Sequence, residues 1–209
     1  MGVTLRTFVG GELETNAYLV VDDATGEAIL IDAPDGITED VVATAREEGW
    51  TITRIVLTHA HWDHIVDAAA LKAATGVPLL AHPLTAERLA SPDAFAGGYV
   101  PAKIAPVTPD GFLNDGDNVT VGSYTFAVMH LPGHDPAHIV LINEPERLLF
   151  GGDVVFPGGH GNTAIPGADQ AVMNQSLRRL AALPPDLVVY PGHGEPTTLG
   201  AEAGWLRSA

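Results

Sequence analysis

The stretch THAHWDH at residues 58–64 constrains this chain more than any other feature of its sequence. Three imidazoles and a carboxylate lie within six consecutive residues, directly after an apolar run at residues 55–57. Burying polar groups at this density costs free energy unless they gain partners. Neutral imidazole nitrogens and carboxylate oxygens are the usual ligands of zinc and of similar divalent ions. The stretch therefore predicts a metal site.

The spacing within this stretch predicts two metal positions. If the apolar run is a strand, His59 and His61 point to the same side, because side chains alternate along a strand. Asp63 and His64 then lie in the turn that follows and face a second point. The alternative is a surface cluster of histidines at the start of a helix, and it leaves the other candidate ligands without a role.

Composition bounds the class of protein. Of the 209 residues, 46% are apolar and 17% are charged, as in a globular protein. The net charge of −16 disfavours nucleic acid as a partner, because phosphate binding relies on Lys and Arg. The apolar runs are too short to cross a membrane, and residues 1–10 lack the core of a signal peptide, so we expect a cytoplasmic protein. Because cysteine is absent, no thiolate can act as nucleophile or ligand.

The rest of the chain alternates between short β-prone runs and helical patterns. Strands are predicted at residues 17–21, 28–31, 52–57, 77–81, 118–121, 124–129, 138–142, 148–150 and 187–190. Helices are predicted at residues 38–48, 65–75, 85–89 and 171–183. Thr38 is the predicted N-cap of the first helix. Strands followed by helices, twice over, predict two packed sheets with helices outside, and the Pro- and Gly-rich residues 91–111 predict a loop that flanks the substrate.

Three further segments share one form, in which a strand ends, a glycine turn follows and a ligand-type side chain is presented. Their candidate ligands are His134, Asp153 and His193. Glycine permits sharp backbone paths and a close approach to an ion. Three protein ligands and an open position are typical of a catalytic metal site. The predicted ligands of one metal are His59, His61 and His134, those of the other are Asp63, His64 and His193, and Asp153 bridges the two.

Three other polar side chains are predicted to act at the site without binding metal. Asp32 is predicted to anchor the loops beneath the site, outside the ligand shell. His138 lies four residues after His134 and is predicted to hydrogen-bond at the edge of the site. His160 lies in a glycine-rich segment from which it could reach a substrate.

With these residues the chain resembles the metallo-β-lactamase fold superfamily over nearly its whole length. The shared motifs are THAHWDH (58–64), PGH (132–134), GGD (151–153) and PGHG (191–194). The resemblance is strongest to the glyoxalase II-like, or hydroxyacylglutathione hydrolase-like, hydrolases, through TNAYLV (15–20), LID (30–32), PGHDPAH (132–138) and PGHGEPTT (191–198). It implies a single domain over residues 1–209 of the α/β (α+β) class, an αββα sandwich of two mixed sheets with helices on the outside. It also implies a dinuclear site at one edge of the sheets.

The chain departs from that branch at two places. Glyoxalase II proper has a C-terminal helical extension that helps to bind glutathione, whereas this sequence stops at Ala209. Family members commonly carry an Arg soon after the bridging Asp, where this chain has Asn162, so a glutathione carboxylate would lack that partner. Asn162 is accordingly a predicted substrate contact. True metallo-β-lactamases usually lack the bridging carboxylate that Asp153 supplies, so antibiotic hydrolysis is not expected.

The resemblance and the ligand set together imply a metallo-hydrolase that cleaves a thioester or ester with a hydroxide held by two metal ions. The metal of His59, His61 and His134 would polarise the carbonyl, and Asp63 would also orient the nucleophile as a catalytic residue. Zinc is the expected metal, with iron and manganese as alternatives. The expected partner is a small-molecule substrate, without nucleic acid or membrane, and a homodimer is left open.

Four rival interpretations stay open at this point. One is a mononuclear-iron enzyme similar to the persulfide dioxygenases, which the same ligand types would allow. Another is a lactonase of the same fold. A nuclease of this fold is disfavoured by the acidic charge. A binding protein without catalytic activity is disfavoured because all seven ligand positions are filled.

Overall fold

The computed structural model describes residues 2–92 and 103–208, which form two six-stranded sheets. In the first sheet the strands follow the chain in order. They are β1 (Val3–Gly10), β2 (Thr15–Asp22), β3 (Glu27–Ile31), β4 (Thr51–Val56), β5 (Leu79–Ala81) and β6 (Gly111–Phe112). The second sheet has the spatial order β12-β11-β10-β9-β8-β7. Its strands are β7 (Asn118–Val121), β8 (Tyr124–His130), β9 (Ile139–Asn143), β10 (Leu148–Gly152), β11 (Val188–Pro191) and β12 (Thr197–Thr198).

Both sheets are mixed. Strands β1 to β3 pair antiparallel, and β3 to β6 pair parallel. In the second sheet β7 to β10 are antiparallel, β11 joins β10 in parallel, and β12 closes the sheet antiparallel. Five helices are described, namely α1 (Thr38–Glu48), α2 (Ala68–Thr75), α3 (Ala86–Ala90), α4 (Gln170–Leu180) and α5 (Leu199–Leu206).

Three apolar layers hold these elements together. The middle layer joins the facing sides of the two sheets and contains Val20, Ile31, Phe126, Leu141 and Phe150. A second layer packs the first sheet against α1, α2 and α3, and a third packs the second sheet against α4 and α5. Strand β2 is buried on both faces, which explains why its sequence is a continuous apolar run and not an alternating one. The predicted αββα sandwich is confirmed.

Several element boundaries differ from the predictions. Thr38 is not the N-cap of α1; that position is Ile37, and the backbone N–H and hydroxyl of Thr38 donate to the Asp67 carboxylate at 2.9 and 2.7 Å. Helix α2 begins at Ala68 instead of residue 65, because a 3-10 turn over Trp62–His64 comes first. Strand β1 was missed because it is a partly exposed strand with a weak pattern.

The predicted loop at residues 91–111 lies partly outside the described residues, which omit 93–102. Its last residue, Gly111, starts strand β6 instead of ending the loop. Among the described residues, no helix is long and apolar enough to cross a membrane. The extent of the single domain predicted over residues 1–209 stays a prediction.

Candidate metal centre

The seven predicted ligand side chains meet at one edge of the sandwich, beyond strand ends of both sheets. The segment after β4 supplies four of them, and single residues after β8, β10 and β11 supply the rest. Their ligand atoms form three overlapping groups, each within 4.8 Å. The first group is His59 with His61 and His134, the second is Asp63 with His64 and His193, and a third, His59 with His64 and Asp153, shares one histidine with each of them.

In the first group, three imidazoles point their ring nitrogens at one another. His61 Nδ1 lies 3.0 Å from His59 Nε2 and 2.8 Å from His134 Nε2. Strand β4 ends at Val56, one residue before the predicted end, so strand alternation does not set the directions of His59 and His61. Instead a loop with extended backbone at His61 brings the two rings together. Neutral imidazoles that meet in this way present lone pairs to a common point, an arrangement that suits a cation.

The second group combines a carboxylate with two imidazoles. Asp63 Oδ2 lies 3.4 Å from His64 Nε2 and 3.3 Å from His193 Nε2. Asp63 and His64 share the 3-10 turn that follows the first two histidines, which confirms the predicted turn. The first group thus offers nitrogen atoms, and the second offers nitrogen and oxygen atoms, of the types that bind zinc or iron.

Asp153 lies between the two groups. Its Oδ2 is 3.3 Å from His134 Nε2 and 3.5 Å from His193 Nε2, and its Oδ1 is 3.3 Å from His64 Nε2. The backbone N–H of Asp153 donates to His138 Nε2 at 2.9 Å, which fixes the loop that presents the carboxylate. One carboxylate therefore contacts ligands of both groups.

Two buried atoms indicate that a cation fits between these side chains. His64 Nε2 and Asp153 Oδ1 are buried, and neither has a hydrogen-bond partner among the described residues. Burying such groups without partners costs free energy that a bound cation would recover. The donor set and these two atoms together fit divalent ions held by the three groups.

The pKa shifts of the candidate ligands also fit a bound cation. Burial alone would lower the pKa of His64, but the nearby carboxylates of Asp63, Asp153 and Asp32 hold that pKa well above its usual value. Burial would raise the pKa of Asp63, but His64 and His193 lower it to about 2. In the first group, burial and the neighbouring imidazoles of His134 and His64 lower the pKa of His61 to about 4, against the opposing effect of Asp135. The carboxylates therefore favour positive charge beside them, while the first group favours neutral imidazoles.

Residues outside the groups hold the ligands in place. His64 Nδ1 donates to Asp32 Oδ2 at 2.9 Å, so Asp32 lies where the sequence predicted it. The Asn162 carbonyl lies 2.8 Å from His134 Nδ1, and the Leu13 carbonyl lies 3.0 Å from His193 Nδ1. Thr15 Oγ1 donates to Asp63 Oδ2 at 2.9 Å. Such contacts fix the ring orientation and tautomer of ligand histidines.

A cavity of about 340 Å³ opens onto both groups. Asn162 lines it, as expected of a substrate contact. His160 is not among the lining residues; its ring lies near Trp205, with centroids 6.0 Å apart. His138 is fully buried beneath His59, and its ring stacks on His59 with centroids 4.7 Å apart. Pro92 and Ile104 of the wall belong to the predicted loop at residues 91–111. Seven further described wall residues had no predicted role, namely Leu13, Ala60, Trp62, Ile65, Arg88, Ile165 and Pro166.

No simple pattern marks these missed residues. Leu13 and Arg88 come from different parts of the chain, a hairpin tip and helix α3. Their only local signal is at Leu13, a large apolar residue in an otherwise polar turn between two strands. Single exposed apolar residues are common at protein surfaces, so this signal alone does not identify a wall residue.

Comparison with known proteins places this geometry in a family. Residues 10–193 match the model of the metallo-beta-lactamase superfamily. Over 202 residues the chain is 32% identical to hydroxyacylglutathione hydrolase GloC of Haemophilus influenzae, covering 90% of each protein. Over 190 residues it is 38% identical to a hydroxyacylglutathione hydrolase of Polaromonas sp., covering 90% of this chain and 65% of that relative.

Two crystal structures are also similar over almost the whole chain. The BLEG-1 B3 metallo-beta-lactamase is 31% identical with a TM-score of 0.87, covering 96% of this chain and 97% of that one. TTHA1623, solved in a di-iron-bound form, is 38% identical with a TM-score of 0.80, covering 95% and 96%.

The chain belongs to the metallo-β-lactamase superfamily. Within it, the predicted resemblance to the glyoxalase II-like hydrolases and the assignment as a metallo-hydrolase are confirmed.

Proposed function

We propose that this protein hydrolyses a thioester or ester with the help of two divalent ions, in the manner of a glyoxalase II-like enzyme. The position of Asp153 is the observation that carries the proposal. Its two carboxylate oxygens lie 3.3 to 3.5 Å from His64, His134 and His193, which belong to different ligand groups. A carboxylate in this position supports two ions held side by side.

The proposed ligands are the seven predicted residues. His59, His61 and His134 would hold one ion, Asp63, His64 and His193 the other, and Asp153 would bridge them. When bound, two such ions would supply an activated water as nucleophile and polarise the substrate carbonyl. We propose zinc as the native metal, and the di-iron form of the relative TTHA1623 supports iron as the alternative.

The chain's own residues would then position the reactants. Asp63 accepts a hydrogen bond from Thr15, which fixes its carboxylate and leaves its second oxygen to orient the nucleophile. The cavity wall joins apolar Leu13, Trp62 and Ile165 with polar Asn162. An acyl compound that fills this cavity would place its carbonyl against the imidazoles of the first group, because His61 and His134 also line it.

The names of the relatives support a thioester as the first substrate class to examine. Proteins named hydroxyacylglutathione hydrolase share 32% and 38% identity with this chain. Asn162 stands where family members commonly carry an Arg, so a glutathione carboxylate would find an amide there and not a guanidinium. We therefore propose a small thioester without fixing its thiol. A cytoplasmic location and a homodimer remain predictions.

The deciding experiment measures metal content and activity together. Protein purified without chelators would be analysed for zinc, iron and manganese, then assayed with acyl-glutathione thioesters, simple thioesters, lactones and a β-lactam. Two ions per chain with thioester or ester hydrolysis is the expected result. One iron per chain with oxygen uptake on glutathione persulfide would establish the dioxygenase instead, and hydrolysis confined to the lactones or the β-lactam would assign those activities.

A further inference from the structure

We propose that Asp135, held in place by Arg88, is a positioning residue that orients His61 in the first ligand group. The proposal rests on the proposed metal centre and goes beyond its seven ligands. Arg88 lies in helix α3, while Asp135 follows His134 in the loop after β8. Arg88 lies outside the motifs named above, and Asp135 lies within PGHDPAH (132–138) but had no predicted role.

The Asp135 carboxylate is enclosed by three groups. Its side chain is only 1% exposed, and its Oδ1 accepts the backbone N–H of Ala137 at 2.7 Å. Its Oδ2 accepts a hydrogen bond from Arg88 Nη1 and lies 3.6 Å from His61 Nε2. A buried carboxylate is costly unless it is paired, and the Arg88 guanidinium supplies that pairing.

This contact involves the nitrogen of His61 that does not face the ligand group. His61 Nδ1 points at His59 and His134, whereas Nε2 points at Asp135. At 3.6 Å the contact with Asp135 is electrostatic and longer than a hydrogen bond. A carboxylate on that side favours the tautomer with its proton on Nε2, which leaves the Nδ1 lone pair for an ion.

The other ligand histidines show the same arrangement. The Nδ1 atom of His64, which faces away from Asp63 and Asp153, contacts the Asp32 carboxylate. The Nδ1 atoms of His134 and His193 contact the carbonyls of Asn162 and Leu13. His59 Nδ1 lies 3.0 Å from the Thr58 hydroxyl. Asp135 completes this set for His61. Asp135 differs from the other partners because a cationic side chain from helix α3, Arg88, holds it.

Arg88 also lines the substrate cavity, and its side chain is 20% exposed. Arg88 in the cavity wall thus contacts His61 indirectly, through the buried carboxylate of Asp135. Helix α3 packs with the first sheet and Asp135 extends from the second, so the pair also fixes how these two parts meet at the site.

The test compares metal affinity and the coordination spectrum in substituted proteins. Zinc dissociation constants would be measured by chelator competition, and the cobalt-loaded proteins would be examined by d–d absorption. Asp135→Asn keeps an oxygen for the Ala137 N–H but removes the charge, and Arg88→Met removes the guanidinium. The matched control is Asp115→Asn, because Asp115 pairs with Arg179 at 3.0 Å and is half exposed.

The expected result is a ~10- to 100-fold weaker binding of one of the two ions in Asp135→Asn and Arg88→Met, with shifted cobalt bands. Arg88→Lys should recover part of the affinity. The double variant that combines Asp135→Asn with Arg88→Met should lose no more metal affinity than Asp135→Asn alone, because both changes act through one contact. Asp115→Asn should match the unsubstituted protein.

Unchanged affinity and an unchanged cobalt spectrum in folded Asp135→Asn would overturn the proposal, as would an equal loss in Asp115→Asn. If Asp135→Asn and Arg88→Met unfold, Arg88→Lys is compared with Arg88→Met. Recovery of folding and metal affinity in Arg88→Lys would support the proposal, and no recovery would overturn it. Failure of the proposed function would look different, because the unsubstituted protein would bind metal normally and hydrolyse no thioester or ester.

Discussion

His64 donates a hydrogen bond from Nδ1 to the Asp32 carboxylate over 2.9 Å, and this turns its Nε2 towards Asp63 and Asp153. The same carboxylate accepts hydrogen bonds from the backbone N–H of Thr58 at 2.8 Å and from its hydroxyl. Asp32 itself has a φ of +62°, in the left-handed region that Asp and Asn tolerate better than most residues. One carboxylate therefore fixes both the ligand ring and the start of the ligand loop.

We predict that Asp32→Asn weakens metal binding by ~10- to 100-fold, because the amide cannot accept from His64 and Thr58 together. Asn suits the backbone, so the fold should persist with a loss of stability of ~1–3 kcal/mol. Chelator competition and urea unfolding measure the two effects. Asp23→Asn serves as the control, because Asp23 is exposed. If Asp32→Asn bound metal as tightly as the unsubstituted protein, the role of this contact would be contradicted.

Asp153→Ala should abolish turnover while leaving the fold intact. Removing the carboxylate between the groups should lower kcat by more than ~100-fold, since even partners outside the ligand shell contribute 10- to 100-fold. Circular dichroism and metal analysis would accompany the assay. Asp186→Ala is the control, because Asp186 is 61% exposed and pairs with Arg147 at the surface. Normal turnover in Asp153→Ala would disprove the two-ion scheme.

Gly192 allows the close approach of two ligand residues. A Cβ at this position would collide with Asp153 Oδ1 and lie 2.7 Å from His64 Cε1. We predict that Gly192→Ala lowers metal content and activity. Gly204→Ala, in helix α5 with nothing near its would-be Cβ, should instead stabilise the protein by ~0.5–1 kcal/mol. Equal behaviour of the two variants in thermal unfolding and metal analysis would show that Gly192 has no such role.

The glycines beside His134, Asp153 and His193 were readable from the sequence, and so was the candidate ligand set, because the spacing within 58–64 and the repeated glycine turns are local patterns. Apart from Asp32, the partners of the candidate ligands were not readable. His134 and His193 are oriented by the carbonyls of Asn162 and Leu13, and a backbone carbonyl carries no residue signature. Thr38 illustrates a related limit: its side chain has cap chemistry, but Asp67, distant in sequence, offers it a competing partner.

The strand pairing also depends on distant residues. Strand β11 pairs in parallel with β10, and this brings His193 to the side of Asp153 across about forty residues of chain. No local periodicity specifies which strand ends become neighbours. The resemblance to a known fold, and not the pattern of individual strands, supplied that part of the prediction.

Leu13 is 51% exposed at the tip of the β1–β2 hairpin and lines the cavity. If an apolar part of the substrate rests on it, Leu13→Ser should lower kcat/KM by ~5-fold, the equivalent of ~1 kcal/mol of lost burial. The backbone carbonyl that meets His193 is retained, so kcat should change little. Val9→Ser is the matched control, since Val9 is 59% exposed on the same hairpin and does not line the cavity. Steady-state kinetics in which both variants behave alike would remove Leu13 from the binding surface.

Glu202 links helix α5 to the segment that follows Asp153. Its carboxylate accepts from the Gly158 N–H at 2.7 Å and from Thr197 Oγ1 and Trp205 Nε1 at 2.6 Å. Burial would raise the pKa of Glu202, but these hydrogen bonds lower it below the usual 4.5. A lowered folded-state pKa stabilises the protein above the unfolded-state pKa, and that contribution disappears as the pH falls through the folded-state value.

We therefore predict that Glu202→Gln loses ~1–3 kcal/mol of stability at pH 7 and that the difference from the unsubstituted protein narrows below pH ~4.5. Urea unfolding at pH 7 and again below pH ~4.5 measures this difference. Glu47→Gln, on the exposed side of α1, should show neither effect. A deficit of constant size at every pH would exclude the ionised carboxylate as its origin.

The division of the ligand residues between the two sheets has a thermodynamic consequence. Four of them follow a strand of the first sheet and three follow strands of the second, so ions bound between them would act as a reversible cross-link that exists only in the assembled sandwich. Linkage then makes folding and metal loading one equilibrium, with a gain of ~2.7 kcal/mol when free metal exceeds its dissociation constant 100-fold. The availability of metal in solution would thereby set part of the free energy that keeps the two sheets together.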